Sequence, residues 1–307
     1  MPLTPSRVGN TPLVELPRLS PKPGIRIFAK LEGDNPSGSV KDRIAEAILD
    51  DAEARGALKP GSTLIEASTG NTAIALASAA RRRGYELKVV VPEGVVPSIG
   101  DVLDLFGVEM IRVSPKAGMK GAIETAVRLA AENGWYATRQ FDNRVNVQTH
   151  YETTGAELVA QLDRIDVFVA GVGTGGTMMG VGRRLRERWP EVKLVAVEPR
   201  MGEYLQGLRC MDDAFHPPLV DLSVLDGRFL VRSADALEAM RRIVREEGVL
   251  AGVSAGATLH AALRYAERLE RANIVVMFSD GAWKYLPARP WQAALERSAC
   301  LDEVHWW

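Results

Sequence analysis

Val167-Phe168-Val169-Ala170-Gly171-Val172-Gly173-Thr174-Gly175-Gly176 runs from four apolar residues into a glycine loop, and Thr177–Arg188 then takes up a helical period. Strand, glycine turn and helix in that order make an anion site by construction. Small residues let backbone N–H groups approach a ligand at the positive end of the helix. The loop also satisfies G-x-G-x-x-G, with Glu198 at the end of a later apolar run. On its own it therefore admits a dinucleotide, a single phosphate ester or a plain tight turn.

Outward from this unit the same pattern repeats. Thr63–Glu66, Leu87–Val91, Glu109–Val113, Leu194–Glu198 and Ile274–Phe278 are apolar on both faces, which predicts parallel strands covered by helices on each side. Ile44–Arg55, Thr72–Arg83, Gly121–Asn133, Ala234–Glu247 and Ala257–Leu269 carry helical periodicity, and Gly56, Gly84, Gly134 and Gly248 stand where a left-handed cap is wanted. The class is α/β. No repeat, low-complexity tract or long linker divides the chain. A domain boundary is placed by topology between Tyr136 and Asn146, where the series yields to the irregular Arg139-Gln140-Phe141-Asp142-Asn143.

The chain has 307 residues, 46% hydrophobic and 25% charged, with a formal net charge of −1 and both signs scattered. That allows two cores and gives no electrostatic footprint for nucleic acid or an anionic membrane. Cys210 and Cys300 lack metal-site spacing and cannot make a disulfide framework, so a reducing cytoplasm fits. Met1–Asn10 holds no signal-like apolar run, and no stretch approaches the roughly 20 apolar residues of a membrane span. His150, His216, His260 and His305 lack mutual metal-ligand spacing and read as packing or surface residues, so no metal is expected.

Two further stretches carry chemistry. Pro36-Ser37-Gly38-Ser39-Val40-Lys41-Asp42-Arg43 precedes an amphipathic helix; Ser39 reads as the N-cap, with Lys41 in the first turn. A cation there opposes the helix dipole, which favours a neutral, imine-forming amine. Glu66-Ala67-Ser68-Thr69-Gly70-Asn71-Thr72 joins a strand to a helix; its hydroxyls, amide and free N–H groups suit a carboxylate, where mere capping would need only one polar side chain.

Ser39–Arg43, Ser68–Thr72, Gly173–Thr177, Gly252-Val253-Ser254-Ala255-Gly256 and Trp283-Lys284-Tyr285-Leu286 occur in the order seen in the cysteine synthase (O-acetylserine sulfhydrylase) family. Asn10-Thr11-Pro12-Leu13 and Lys30-Leu31-Glu32 resemble that family's opening, so the resemblance extends from about Gly9 to Leu286. Arg209-Cys210-Met211-Asp212 looks closer to the B-type enzymes. The resemblance implies a fold-type II pyridoxal 5′-phosphate (PLP) enzyme, tryptophan synthase β-like. Its two three-layer α/β domains have mostly parallel sheets, one over residues 36–144 that moves on closure and one over 1–35 and 145–307 that binds the cofactor phosphate.

By the same resemblance Lys41 holds the cofactor as an imine and Asn71 lies beside its ring hydroxyl. Gly173, Thr174, Gly175, Gly176 and Thr177 take its 5′-phosphate, and Ser254 faces the pyridine nitrogen. A hydroxyl cannot hold that nitrogen protonated as a carboxylate would, leaving a moderate electron sink suited to expelling a β-substituent. Ser68, Thr69, Asn71, Thr72 and Gln140 surround the substrate. Arg209 lies at the mouth of the site where the β-substituent points, and Asp280 near the entry of the sulfur nucleophile. The implied reaction replaces the β-substituent of O-acetylserine or O-phosphoserine with sulfur to give L-cysteine, in a cytoplasmic homodimer, with a sulfur-carrier protein and serine acetyltransferase as candidate partners.

Three positions depart from the family. Ser68-Thr69 stands for its usual Thr-Ser, Ala156 replaces a Pro, and Gly94–Asp101 replaces a Ser followed by a Glu-Arg-Arg run. Two rival activities remain at this stage: an amine nucleophile on the same scaffold, as in a diaminopropionate-type synthase, and an NAD-dependent oxidoreductase using Gly171–Gly176. The second leaves Lys41, Ser68–Thr72 and Ser254 without a role. A catalytically idle regulatory homologue would have no need of Lys41. Trp306-Trp307 could fray, dock at a dimer interface or cover the site.

Overall fold

The computed structural model describes residues 7–93, 97–212, 215–289 and 291. Gly94–Val96, Cys300, His305 and Trp306-Trp307 lie outside them. In chain order the elements are β1 (Leu13–Glu15), β2 (Ile25–Leu31), α1 (Lys41–Ala54), β3 (Thr63–Ala67), α2 (Asn71–Arg83), β4 (Glu86–Pro92), α3 (Pro97–Leu105), β5 (Glu109–Val113), α4 (Gly118–Asn133) and β6 (Tyr136–Ala137). Then follow α5 (Val145–Glu152), α6 (Thr154–Gln161), β7 (Val167–Gly171), α7 (Gly176–Arg188), β8 (Lys193–Pro199), β9 (Gly227–Val231), α8 (Ser233–Arg242), α9 (Val253–Ala266) and β10 (Ala272–Phe278).

They build two sheets, ordered β1-β2-β10-β7-β8-β9 and β5-β4-β3-β6. All pairings are parallel except β1 with β2. The two-faced apolar strands follow from this layering. In β7, Val167 and Val169 join the core beneath α8 and α9, while Phe168 and Ala170 join the core beneath α6 and α7. In the smaller sheet, Leu64, Leu87 and Val89 pack with α1 and α2, whereas Ile65, Ala67 and Val90 pack with α4. Each buried Val, Leu, Ile or Phe among them contributes roughly 1.5–3 kcal/mol from burial.

The glycine caps hold: Gly56, Gly84, Gly134 and Gly248 all have positive φ, which costs a residue without Cβ nothing. Local readings are corrected at two points. Val40, with helical φ and ψ, occupies the N-cap position of α1. Ser39 Oγ instead accepts from the Lys41 N–H at 3.2 Å, and Asp42 turns back to Ser37. The helix read over Ala234–Glu247 is α-helical only to Arg242 and ends in a π-helical turn, Ile243–Glu247.

Candidate active site

Parallel sheets deliver their loops to one end, and ligands of such folds lie beyond the carboxyl ends of the strands. Here that end gathers the sequence motifs. Val40 N–H donates to Ser279 O at 2.8 Å and Gly252 N–H to Asp280 O at 2.9 Å, so Lys41 and Ser254 are both tied to the end of β10. Ser68–Gly70 leaves β3 and Gly171–Gly175 leaves β7 at the same level. The result is a cleft enclosing about 840 Å³, open solvent at its mouth included, lined by every residue to which the resemblance gives a role at the site except Gly176 and Asp280.

Lys41 is the first residue of α1. Burial is the largest influence on its amine and carries it down to about 8; Lys284 adds to the lowering, while Asp280 and Glu32 oppose it. A neutral amine is thus accessible near neutrality, as a carbonyl-trapping lysine requires. Asp280, expected at the nucleophile's entry, lies behind Asn71: it is 2% exposed and its Oδ2 accepts from Asn71 Nδ2 at 2.8 Å and from Tyr285 Oη at 2.7 Å. Lys284 Nζ donates to Asn71 Oδ1 and lies 3.6 Å from Asp280. The Asn71 amide is therefore fixed at both ends.

At the start of α2, Ser68 Oγ accepts from Ala73 N–H at 3.2 Å and Gly70 N–H at 3.4 Å, which is the capping role. The hydroxyl proton remains to donate, so capping and ligand binding are compatible in one residue. Thr72 Oγ1 donates to Gln140 Oε1 at 2.6 Å, and Gln140 Nε2 to Ala67 O at 3.0 Å. Behind them Glu66 is enclosed; its carboxylate accepts from Thr138 Oγ1 at 2.5 Å, Gln140 N–H at 3.0 Å and Ala67 N–H at 2.8 Å. Burial outweighs these bonds and pushes its carboxyl up to about 7.

The glycine loop has no room for side chains. A Cβ on Gly173 would stand 2.5 Å from Gly207 O, one on Gly176 would stand 1.8 Å from Asn146 Oδ1, and Gly175 has φ +90°. Asn146 Nδ2 donates to Gln140 O at 2.8 Å and Thr174 Oγ1 at 3.0 Å, joining Gln140 to this loop. Thr177 Oγ1 contacts His150 Nε2 at 3.2 Å, and burial holds that imidazole well below its usual range, hence neutral.

A family model described as pyridoxal-phosphate dependent enzyme matches residues 5–280. The chain belongs to that family. Cysteine synthase B of Pseudomonas aeruginosa is 41% identical over 280 residues, covering 91% of this chain and 94% of the relative. Among solved structures, O-ureido-L-serine synthase superposes with a TM-score of 0.88 at 38% identity, covering 95% of each chain. Cysteine synthase from Entamoeba histolytica superposes with a TM-score of 0.86 at 32% identity, covering 97% of this chain and 92% of that one. The protein is thus a PLP-dependent enzyme of the cysteine synthase type, and its chemistry is β-replacement.

The residues present fit the cofactor of this pyridoxal-phosphate enzyme. The cleft lining holds Lys41 and Arg209 as cations and no carboxylate, and α7 opens without an acidic residue beside a loop of bare backbone. That donor set suits one phosphate and one aldehyde. The oxidoreductase reading fails: Glu198, which a ribose would need, is fully buried and occupied by Met211 N–H at 2.6 Å and Arg228 Nε at 2.7 Å. Sequence reading passed over Asn146 and Gln206, gave Lys284 no role inside the motif Trp283–Leu286, and took His150 for packing or surface. Asn146 and Gln206 are polar residues outside every motif, and no local pattern marks such positions.

Proposed function

We propose that the enzyme makes L-cysteine from O-phosphoserine and a sulfur nucleophile, with O-acetylserine as the poorer substrate. The observation that carries this is Arg209. It lines the cleft with its guanidinium 5.1 Å from the Phe141 ring centroid and 5.6 Å from that of Phe215, two rings that meet edge-on at 5.4 Å. Contact with both rings restrains the guanidinium, and its planar fork favours a phosphoryl dianion over a neutral acetyl group.

PLP, when bound, draws electron density from the substrate's α-carbon, so that its proton can leave and the β-substituent can depart. In this reading Lys41 holds the cofactor, takes up the α-proton and returns it. Gly173–Thr177 bind the cofactor phosphate, Asn71 faces the ring hydroxyl and Ser254 the ring nitrogen. Ser68, Thr69, Thr72 and Gln140 hold the α-carboxylate, and the segment 36–144 closes on it. Asp280 acts through Asn71 and Lys284, a positioning role in place of one at the nucleophile's entry.

The test is kcat/KM for both substrates with sulfide. The wild type favours O-phosphoserine, and Arg209→Ala loses at least about tenfold on it while O-acetylserine barely changes. Equal losses on both, or none, return O-acetylserine as the substrate. A second reading, a nitrogen nucleophile in place of sulfur, is favoured by the likeness to O-ureido-L-serine synthase; competing sulfide against amines decides it.

A further inference from the structure

Two glutamines line the cleft, and they are in opposite states. Gln140 is occupied through both ends of its amide, to Thr72 and Ala67. Gln206 is only 3% exposed, yet neither its Nε2 nor its Oε1 has a hydrogen-bond partner. Leaving a buried amide group unpaired costs about 1–3 kcal/mol, and native interiors rarely tolerate it without a reason.

The backbone around Gln206 is pinned from the larger sheet's side. Arg209 N–H donates to Val172 O at 2.8 Å and Leu208 N–H to Leu205 O at 2.9 Å. Gly207 O lies 2.5 Å from where a Cβ on Gly173 would be, and Leu208 fills the space beside Gly171. Held on the glycine loop, the side chain reaches towards the other half of the molecule: Nε2 lies 3.5 Å from the Cβ position of Gly70, in the loop that cradles the carboxylate. A side chain at Gly70 would meet it first.

We infer that Gln206 binds the substrate's α-carboxylate, donating from Nε2 on the side of the cleft opposite Gln140. The inference rests on the β-replacement reading only in taking an α-amino acid as substrate. Gln140 has a single N–H left after its bond to Ala67, whereas Gln206 has two. The carboxylate then bonds to the Ser68–Thr72 loop and to a residue anchored under the cofactor's phosphate loop, so binding itself draws the two sheets' loops together. Arg209, three residues further on, is left to the β-substituent.

The experiment uses holoenzyme and two ligands without a leaving group, read by the change in the cofactor's visible absorbance on titration. L-Alanine carries an α-carboxylate and ethylamine does not. Gln206→Leu raises the Kd for L-alanine about tenfold or more and leaves that for ethylamine unchanged; Gln206→Glu weakens L-alanine further, because a carboxylate repels a carboxylate. Equal effects on both ligands, or none on either, overturn the assignment. Should Gln206→Leu fail to fold, the order of Gln206→Glu against wild type on the same two ligands decides alone. Neither titration involves turnover: if O-phosphoserine proves no substrate but the contrast holds, only the proposed reaction falls, and if the contrast vanishes while O-phosphoserine is turned over, only Gln206 does.

Discussion

The Lys41 amine gives a prediction with a definite midpoint. Its value near 8 lies about 2.5 below the ordinary 10.5, a differential of roughly 3 kcal/mol at 1.36 kcal/mol per unit. At pH 7 about a tenth of the amine is then neutral, some 300-fold more than for an unperturbed lysine. The rate at which the apoprotein fixes added PLP, followed by visible absorbance, should rise about tenfold per pH unit and level off near pH 8. Two of its charged neighbours act with opposite sign, Asp280 raising the value and Lys284 lowering it. Lys284→Gln should therefore move the plateau to higher pH and Asp280→Asn to lower pH. A rate still climbing at pH 10, or both variants moving the same way, would refute the burial argument.

Glu66 carries its proton to about pH 7 when folded but only to about 4.5 unfolded, so the folded state binds more protons in between and stability falls as pH rises through that window. The loss amounts to about 3 kcal/mol, and denaturant titrations should show it in the wild type and not in Glu66→Gln. Arg43 bridges Glu32 at 2.7 Å and Glu157 at 2.6 Å, its own side chain and that of Glu32 almost wholly buried. Arg43→Met strands the buried Glu32, leaves Glu157 to Lys30 alone and should cost about 3–5 kcal/mol, read as a lowered Tm. Gly173→Ala drives a Cβ to 2.5 Å from a backbone carbonyl, so the phosphate loop must shift. PLP affinity should drop at least about tenfold by equilibrium titration, with far smaller loss of Tm.

What the sequence made legible is what periodicity and glycine encode. β3, β4, β7, β8 and β10 are strands whose both faces are covered, and short aliphatic runs announce them, whereas β5, expected to be covered likewise, is an edge strand with no buried residue. β2 was missed because Arg26 and Lys30 break its run. Lys30 is wholly buried, but it donates to Thr11 O and is neutralised by Glu157 at 2.7 Å, a pairing across 127 positions that no window sees. The site divides in the same way. Lys41, Ser68–Thr72 and Gly173–Thr177 sit in contiguous motifs, whereas Asn146, Gln206 and Lys284 take their meaning from what the fold sets opposite them. Ser254 lay between, in a glycine-flanked stretch that meant something only beside a known family.

The charges along two helices explain why the glycine loop alone misled. α2 and α7 each follow a strand through a glycine turn, open with no acid in the first turn and close on arginines, Arg81 to Arg83 in one and Arg186 and Arg188 in the other. Cations at the C-terminus complement the dipole there, while the positive N-terminus is left without its usual counter-charge. α8, by contrast, opens with Asp235, paired to Arg232, so its N-terminal charge is satisfied from within. A helix start without its own acid is open to an anion from outside, and in α2 and α7 that start faces the cleft through a glycine turn. Two such starts suit a ligand with two separated anionic groups, and a lysine at the head of α1 beside them suits a reactive carbonyl. A dinucleotide has the phosphates without an aldehyde. PLP with an amino acid has one phosphate, one carboxylate and one aldehyde carbon, the set that the proposed roles of α7, α2 and Lys41 would take in turn.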